Sequence, residues 1–392
     1  MPGNNPFMKH NIPTAWFILL LALAGLVRAE GYRTSLGTAP DDFPVVVVTG
    51  TPYEMGVSLG KLMKPEIQAF VPMFQQAAES MGKELSAANL DRAWTTMESF
   101  MSARFKDELR GVAEGAGIPL ATLQRAHMIP VISEYSCSGV AIWGPATRTG
   151  HLYQIRNLDY NTGAHLQDFR CVVIYIPKDG IPHLNPSFAG SIGCHTGMND
   201  AGITLTEIGD ASARDKPYDL HGLHFMMMFR DILYSAHTLD QAVQMIQQTK
   251  RIKKYHFFVG DGKIPAAVKM KAWAPDLVIW KDNDPKDELA PDVFQNIVYH
   301  AEGRDPTARG HLSEYGRGRY DMDAVIQLSK AVGTLGGNLM NAAYDATARE
   351  AWLSYAYKDE CAYRRPYVQV RLSDFVPYNA ANSKVKIQQV AP

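Results

Sequence analysis

Apolar residues in the first third of the chain recur mainly at helical spacing. They fall three or four residues apart across 55–74, and a second stretch of this kind runs from about 87 to 114, which predicts amphipathic helices. The β-branched run at 44–49 predicts one strand before them. Thr51 and Glu54, with a proline between them, have the spacing of a helix N-terminal capping box. The region up to about residue 130 is therefore predicted to be mostly helical.

From Cys137 onward the pattern changes to short apolar runs separated by glycine and proline. These runs predict strands at 138–143, 151–160, 170–176, 202–208, 266–273, 277–280, 342–344, 351–355 and 368–372. Helical spacing returns at about 223–248 and 319–332. Because strands and helices come in runs, without regular β-α alternation, the pattern predicts a layered α+β fold.

The first 29 residues have the pattern of a secretory signal peptide. Lys9 and His10 precede an apolar run at 15–27, and Val27 and Ala29 occupy the small-residue positions of a cleavage site. The run is shorter than the roughly 20 residues that a membrane span needs. We therefore expect residues 1–29 to be removed and the protein to be secreted or periplasmic, without a stable membrane span. An uncleaved anchor is the alternative.

Charge and cysteine content narrow the classes of function. The chain has 39 Lys and Arg against 40 Asp and Glu, so no basic surplus favours a nucleic-acid partner. Four cysteines are few for an exported protein of 392 residues, which argues against a disulfide scaffold. If Cys137 is catalytic, at most one intramolecular bridge can form among Cys171, Cys194 and Cys361.

Three reactive side chains lie at the ends of two neighbouring predicted strands. Cys137 begins one strand, and Arg156 and Asp159 end the next, so an antiparallel pairing brings all three together. A guanidinium favours thiolate over thiol. If Cys137 also carried a free α-amino group, that amine could act as its general base, and Asp159 would hold the ammonium in place. A buried structural cysteine and a structural ion pair are the simpler alternatives.

Four stretches of sequence together resemble the motifs of one enzyme family. The chain resembles the acyl-coenzyme A:6-aminopenicillanate (isopenicillin-N) acyltransferase-like family of N-terminal-nucleophile hydrolases, which is related to acid ceramidase and choloylglycine hydrolase. The resemblance lies in the opening helix motif at 51–60, the Glu-Leu-x-Gly-x-Ala-Glu-Gly-Ala-Gly element at 108–117, Ser136-Cys137-Ser138-Gly139 with Arg156-Asn157-Leu158-Asp159, and the hairpin Thr196-Gly197-Met198-Asn199 to Gly202.

The resemblance implies an αββα sandwich and a chain that cuts itself between Ser136 and Cys137. It implies a mainly helical chain of residues 30–136, and a catalytic chain of residues 137–392 that stays associated with it. Cys137 would be the nucleophile, Arg156 would assist its thiolate, and Asp159 would contact the new amino terminus. The implied reaction cleaves or transfers the acyl group of a small N-acyl amide through a Cys137 thioester, with no cofactor and no metal.

The chain departs from the family at the oxyanion hole. Glu207 stands near the position where relatives often carry an asparagine. The stretch Val298-Tyr299-His300 corresponds loosely to one in which the acyltransferases carry a second asparagine, which is also missing here. Asn157, His195 and Glu207 are therefore candidate substrate or oxyanion contacts, and for His195 a packing role is the favoured alternative.

Two other functions remain open. One is a binding protein on the same fold that has lost catalysis, which the missing asparagines favour. Alternatively, Cys137 and His300, with Asn338 and Asn341 beyond them, are spaced as in papain-like cysteine proteases.

Overall fold

The computed structural model describes residues 30–133, 135–209, 219–272, 276–282, 284–287, 294–334, 337–376 and 388–389. The predicted signal peptide lies outside these ranges. Among the helices within them, none is long and apolar enough to cross a membrane.

The segment before Cys137 is mainly helical, as predicted, but it also contributes two strands. Its elements are β1 Glu30–Leu36, β2 Phe43–Gly50, α1 Pro52–Leu62, α2 Lys64–Met81, α3 Ala87–Met97, α4 Ala103–Ala116 and α5 Leu120–Ile132. The capping box is confirmed, because Thr51 and Glu54 each accept a hydrogen bond from the other's backbone N–H. Each of the two long helices predicted here is a pair of helices. Chain turns at Met63 and after Met97 separate the members.

The segment from Cys137 onward contains most of the strands. They are β3 Ser136–Gly144, β4 Gly150–Asp159, β5 Arg170–Pro177, β6 His183–Phe188, β7 Thr196–Asn199, β8 Ile203–Gly209, β9 Tyr255–Asp261, β10 Ala266–Ala272, β11 Leu277–Trp280, β12 Ile297–His300, β13 Asn338–Asp345, β14 Glu350–Tyr355, β15 Val368–Arg371 and β16 Gln388–Gln389. The helices are α6 Phe225–Ser235, α7 Leu239–Gln248, α8 Asp305–Tyr315 and α9 Met322–Ala331. The predicted helix over 223–248 is broken where Thr238 caps α7.

Two sheets form the middle of the protein, a larger mixed one and a smaller antiparallel one. One has the strand order β11-β10-β9-β8-β7-β6-β5-β2-β1-β16, and the other has the order β12-β3-β4-β13-β14-β15. Strands β3 and β4 pack against β8 and β9, α1 and α6 cover the outer face of the larger sheet, and α8 and α9 cover the smaller one. The structure therefore confirms a layered α+β fold of the αββα kind.

The glycine-rich element at 108–117 has a packing role. A Cβ added at Gly111 would lie 2.3 Å from the carbonyl oxygen of Tyr53, and one at Gly56 would lie 2.1 Å from that of Glu108. Helices α1 and α4 therefore touch backbone to backbone, which only glycine permits. This contact fixes α1 on the sheet that forms one wall of the site.

Candidate active site

The pairing of β3 with β4 divides the candidate residues between two faces of the smaller sheet. Cys137 pairs with Leu158, Gly139 with Arg156, and Ser136 with Asp159. Because side chains alternate along a strand, Cys137 and Arg156 point toward the larger sheet. Ser136, Asn157 and Asp159 point toward the layer of α8 and α9. Cys137, Arg156 and Asp159 therefore all lie near the paired ends of β3 and β4, as predicted, but Asp159 is on the opposite face of the sheet from the other two.

The thiol of Cys137 is fully buried beside a guanidinium. Nη2 of Arg156 donates to Sγ of Cys137 at 3.1 Å and to Oε2 of Glu207 at 3.2 Å. Nε of Arg156 also donates to the Glu207 carbonyl at 3.3 Å, and the Tyr135 hydroxyl donates to the other carboxylate oxygen of Glu207 at 3.1 Å. A thiol, a guanidinium and a carboxylate therefore share one buried position.

Burial controls the ionisation of this group. It raises the pKa of the Cys137 thiol well above its usual value, and the Arg156 charge opposes this rise only in part. Burial also raises the pKa of Glu207 to about 7, again against the effect of Arg156. The thiol is therefore protonated at neutral pH, whereas Glu207 titrates close to neutral pH.

Asp159 lies on the other face and already has partners. Its Oδ2 accepts a hydrogen bond from Nη2 of Arg304 at 2.6 Å, and its Oδ1 accepts one from Nδ2 of Asn338 at 2.8 Å. The backbone N–H of Cys137 donates to Oε2 of Glu302 at 2.8 Å. The sequence did not point to Glu302 or Arg304 as site residues, because neither belongs to a recognised motif. Both are more than 150 residues from Cys137 along the chain.

Asn157, predicted as a candidate substrate or oxyanion contact, lies on the face of β4 opposite the thiol. Its Nδ2 donates to the backbone carbonyl of Ser329 at 2.8 Å, and its Oδ1 accepts from the Ser329 hydroxyl at 2.6 Å. Both polar atoms of the amide therefore serve to hold α9 on the outer face of β4, away from the thiol.

An apolar pocket opens beside the thiol. Leu158, the cross-strand neighbour of Cys137, is part of its lining. Helices α2 and α5 supply much of the wall, and Tyr135 and His195 are also part of the lining. The apolar lining includes Phe70, Phe74, Leu123, Pro130, Leu339 and Met226.

His195 lines this pocket, which is one of the two roles considered for it. Its ring lies edge-on to Tyr135, with centroids 6.2 Å apart, and to Phe225 at 6.0 Å. Burial, aided by Arg156, lowers the pKa of His195 well below its usual value. The imidazole is therefore neutral at physiological pH.

His300 has a different set of neighbours from those of the thiol. Its Nδ1 lies 3.3 Å from Oδ1 of Asp305, and its ring lies 4.5 Å from that of His256, measured between centroids. The Cys137 sulfur instead accepts a hydrogen bond from the Arg156 guanidinium. This geometry favours the guanidinium arrangement over a papain-like pair of cysteine and histidine.

Comparison with known proteins identifies the same family as the motifs. The family model for acyl-coenzyme A:6-aminopenicillanic acid acyl-transferase matches residues 146–279. Protein dcd1B of Dictyostelium discoideum is 26% identical over 370 residues, which span 85% of this chain and 72% of that protein. The N-acylethanolamine-hydrolyzing acid amidase of Mus musculus is 26% identical over 232 residues, which span 55% of this chain and 62% of that protein.

Among solved structures, penicillin V acylase from Agrobacterium tumefaciens aligns with a TM-score of 0.44 at 12% identity, over 64% of this chain and 90% of that one. The family resemblance predicted from the motifs is confirmed by the sequence matches. Residues 146–279 of this chain match the model of the acyl-coenzyme A:6-aminopenicillanic acid acyl-transferase family, and the relatives that the chain resembles include an N-acylethanolamine-hydrolyzing acid amidase.

Proposed function

We propose that this protein cuts itself before Cys137 and then hydrolyses an N-acyl amide through a thioester on the Cys137 sulfur. The observation that carries the proposal is the 3.1 Å hydrogen bond from Arg156 to Sγ at the buried head of β3. A guanidinium there stabilises the thiolate as it forms. It does so directly beside a pocket that an acyl group can fill.

In self-cleavage the thiol of Cys137 attacks the carbonyl carbon of Ser136. Cys137 has no free amine at that stage, so Glu207, which shares Nη2 of Arg156 with the sulfur, accepts the thiol proton. The S–C bond forms, the C–N bond breaks, and the nitrogen leaves as the α-amine after gaining one proton. Water then hydrolyses the thioester, which leaves a carboxylate on Ser136 and restores the thiol.

In turnover the new α-amine takes over as general base. With a reference pKa of about 8, it accepts the thiol proton, the sulfur attacks the amide carbonyl of the substrate, and the proton passes to the leaving amine. Water releases the acyl group as a carboxylic acid. Transfer to a second amine would use the same thioester, and we favour water as the simpler acceptor.

The pocket supports an apolar acyl group as the part of the substrate that is recognised. In the uncut chain, Tyr135 lies on the acyl side of the bond to be cut, and it also lines the pocket. The acyl side of a substrate would therefore enter the same space. The name of the mouse relative, an N-acylethanolamine-hydrolyzing amidase, is consistent with such a substrate.

Two measurements test the proposal. Wild type purified in active form should give two chains on a denaturing gel, whereas Cys137→Ala should give one. A single uncut but active chain would refute self-cleavage.

N-acyl amides of graded chain length should then separate substrates by their apolar burial. At about 0.8 kcal/mol per buried methylene, kcat/KM should rise roughly fourfold per added carbon until the pocket is full. No dependence on chain length would refute the acyl-pocket assignment, and iodoacetamide should abolish turnover in every case.

We further propose that residues 1–29 direct export. Amino-terminal sequencing of the mature protein should begin near residue 30. A mature chain that keeps residues 1–29 would contradict this.

A further inference from the structure

A second carboxylate lies at the bond that the proposed self-cleavage breaks. Oε2 of Glu302 accepts hydrogen bonds from the backbone N–H of Cys137 at 2.8 Å and from the Ser136 hydroxyl at 2.6 Å. Glu302 therefore contacts the residues on both sides of the scissile bond. The contact with Cys137 is to the leaving nitrogen itself.

The turn that carries Glu302 is anchored on several sides. It joins β12 to α8, and β12 pairs with β3 so that His300 lies opposite Gly139. The backbone N–H of Ala301 donates to Asp305 at 2.9 Å. Nη2 of Arg304, from the same turn, donates to the Cys137 carbonyl at 3.3 Å and to Asp159. The turn thus holds the head of β3 through both its N–H and its carbonyl.

The backbone at Glu302 is itself unusual. Its φ is +35°, in the region that side-chain-bearing residues rarely adopt. Such conformations cost on the order of 1–3 kcal/mol and persist where the surrounding structure requires them. Here the conformation places the carboxylate on the Cys137 nitrogen.

Asp159, by contrast, is occupied in the uncut chain. It accepts hydrogen bonds from Arg304, Asn338 and the backbone N–H of Thr334. The carboxylate already in contact with the leaving nitrogen is that of Glu302.

We propose that Glu302 is a catalytic residue of self-cleavage and the counter-ion of the α-amino group afterwards. This inference rests on the proposed self-cleavage. As the thiol attacks, the amide nitrogen becomes basic and takes up the proton that Glu207 received from the sulfur, and the adjacent Glu302 carboxylate stabilises the positive charge on that nitrogen until the C–N bond breaks and releases the amine. The two carboxylates divide the proton transfer, with Glu207 at the sulfur and Glu302 at the nitrogen. In the mature enzyme Glu302 raises the pKa of the α-amine, since an opposite charge favours the ammonium.

The test compares Glu302→Gln, which keeps an acceptor oxygen but loses the charge, with Glu302→Asp, which keeps the charge. Glu314→Gln on the exposed face of α8 is the matched control. Self-cleavage is followed by intact mass. Glu302→Gln should slow it roughly tenfold or more, as expected for loss of a charge-assisted hydrogen bond. Glu302→Asp should recover part of the rate, and Glu314→Gln should match wild type.

The second readout is the pKa of the α-amine in the cut protein. It is measured by competitive acetylation with acetic anhydride across pH, after the thiol has been capped with iodoacetamide. Glu302→Gln should lower this pKa by about one unit. If Glu302 had only a structural role, Glu302→Gln would slow self-cleavage but leave the pKa of the α-amine unchanged.

The outcomes separate the two proposals. If wild type is not cut before Cys137, the proposed function fails. If wild type is cut, and Glu302→Gln has an unchanged rate or an unchanged amine pKa, only the role of Glu302 is overturned. Equal loss in Glu302→Gln and Glu302→Asp would also overturn it, because the charge would then not matter.

Discussion

A buried ion pair joins the two chains that self-cleavage would produce. Nη2 of Arg230 on α6 donates to Oε2 of Glu108 on α4 at 2.6 Å, and both side chains are only 4% exposed. The Arg230 guanidinium also lies 3.6 Å from the centroid of the Tyr175 ring and contacts the His183 imidazole at 2.6 Å. Glu108 is the anionic partner in this group, and it comes from the segment before the cut.

Glu108→Gln should therefore be strongly destabilising. It removes the carboxylate that is hydrogen-bonded to the buried Arg230 guanidinium, and removing one member of a buried pair costs about 3–5 kcal/mol. That is a large share of the 5–15 kcal/mol typical of whole domains. Asp107→Asn on the same helix is the control. Asp107 pairs with Arg110, both are about half exposed, and such pairs contribute about 0–1 kcal/mol.

Urea unfolding in a Cys137→Ala background, where the chain stays whole, measures the difference. At a slope of about 3 kcal/mol/M, the midpoint for Glu108→Gln should fall by about 1 M or more, with that of Asp107→Asn little changed. Replacing both Glu108 and Arg230 by Leu and Met should recover most of the loss, because no charge then remains buried. Equal midpoints for Glu108→Gln and Asp107→Asn would refute the reasoning.

Three further predictions concern the site itself. Arg156→Ala should raise the pKa of the Cys137 thiol further, which would appear as an alkaline shift in the pH dependence of iodoacetamide alkylation. Arg156→Lys should give an intermediate shift. An unchanged profile would show that Arg156 does not act on the thiol. Asp159→Asn should slow both self-cleavage and turnover, because the carboxylate anchors Arg304 at the head of β3. His300→Ala should reduce both rates much less. The reverse order, measured by intact mass and turnover, would favour a papain-like mechanism. Because burial raises the pKa of Glu207 to about 7, its carboxylate is mostly ionised only above that pH, and self-cleavage should accelerate as pH rises through about 7. Glu207→Gln should abolish this acceleration. The same acceleration in Glu207→Gln would exclude Glu207 as the base.

If the proposed cleavage occurs, pairing within the larger sheet would help to keep the two chains associated. Strand β2, from before the cut, pairs in parallel with β5, from after it, with Val45 to Gly50 opposite Val172 to Pro177. Helices α2 and α5 form much of the wall of the acyl pocket. The segment 30–136 thus contributes two strands of the larger sheet and much of the pocket wall, and its loss would remove both.

Some elements followed directly from local sequence. The capping box at Thr51 was predicted because its hydrogen bonds span only three residues. The strands β3 and β4 were predicted because hydrophobic alternation and a glycine-containing turn are local features. The long helices were predicted without their breaks, since helical spacing continues across Met63 and Thr238 while the chain changes direction.

The sequence by itself determined that Cys137 and Arg156 meet, because two consecutive antiparallel strands bring the head of one to the tail of the other. Only the tertiary structure decided which face each side chain takes, because a shift of one residue in register moves every side chain to the opposite face. That is why Arg156 reaches the thiol while Asn157 binds Ser329. The structure also decided that Glu302 contacts the Cys137 nitrogen, since this contact joins residues 165 positions apart. It forms only when β12 pairs with β3, and no local pattern encodes a pairing over that distance.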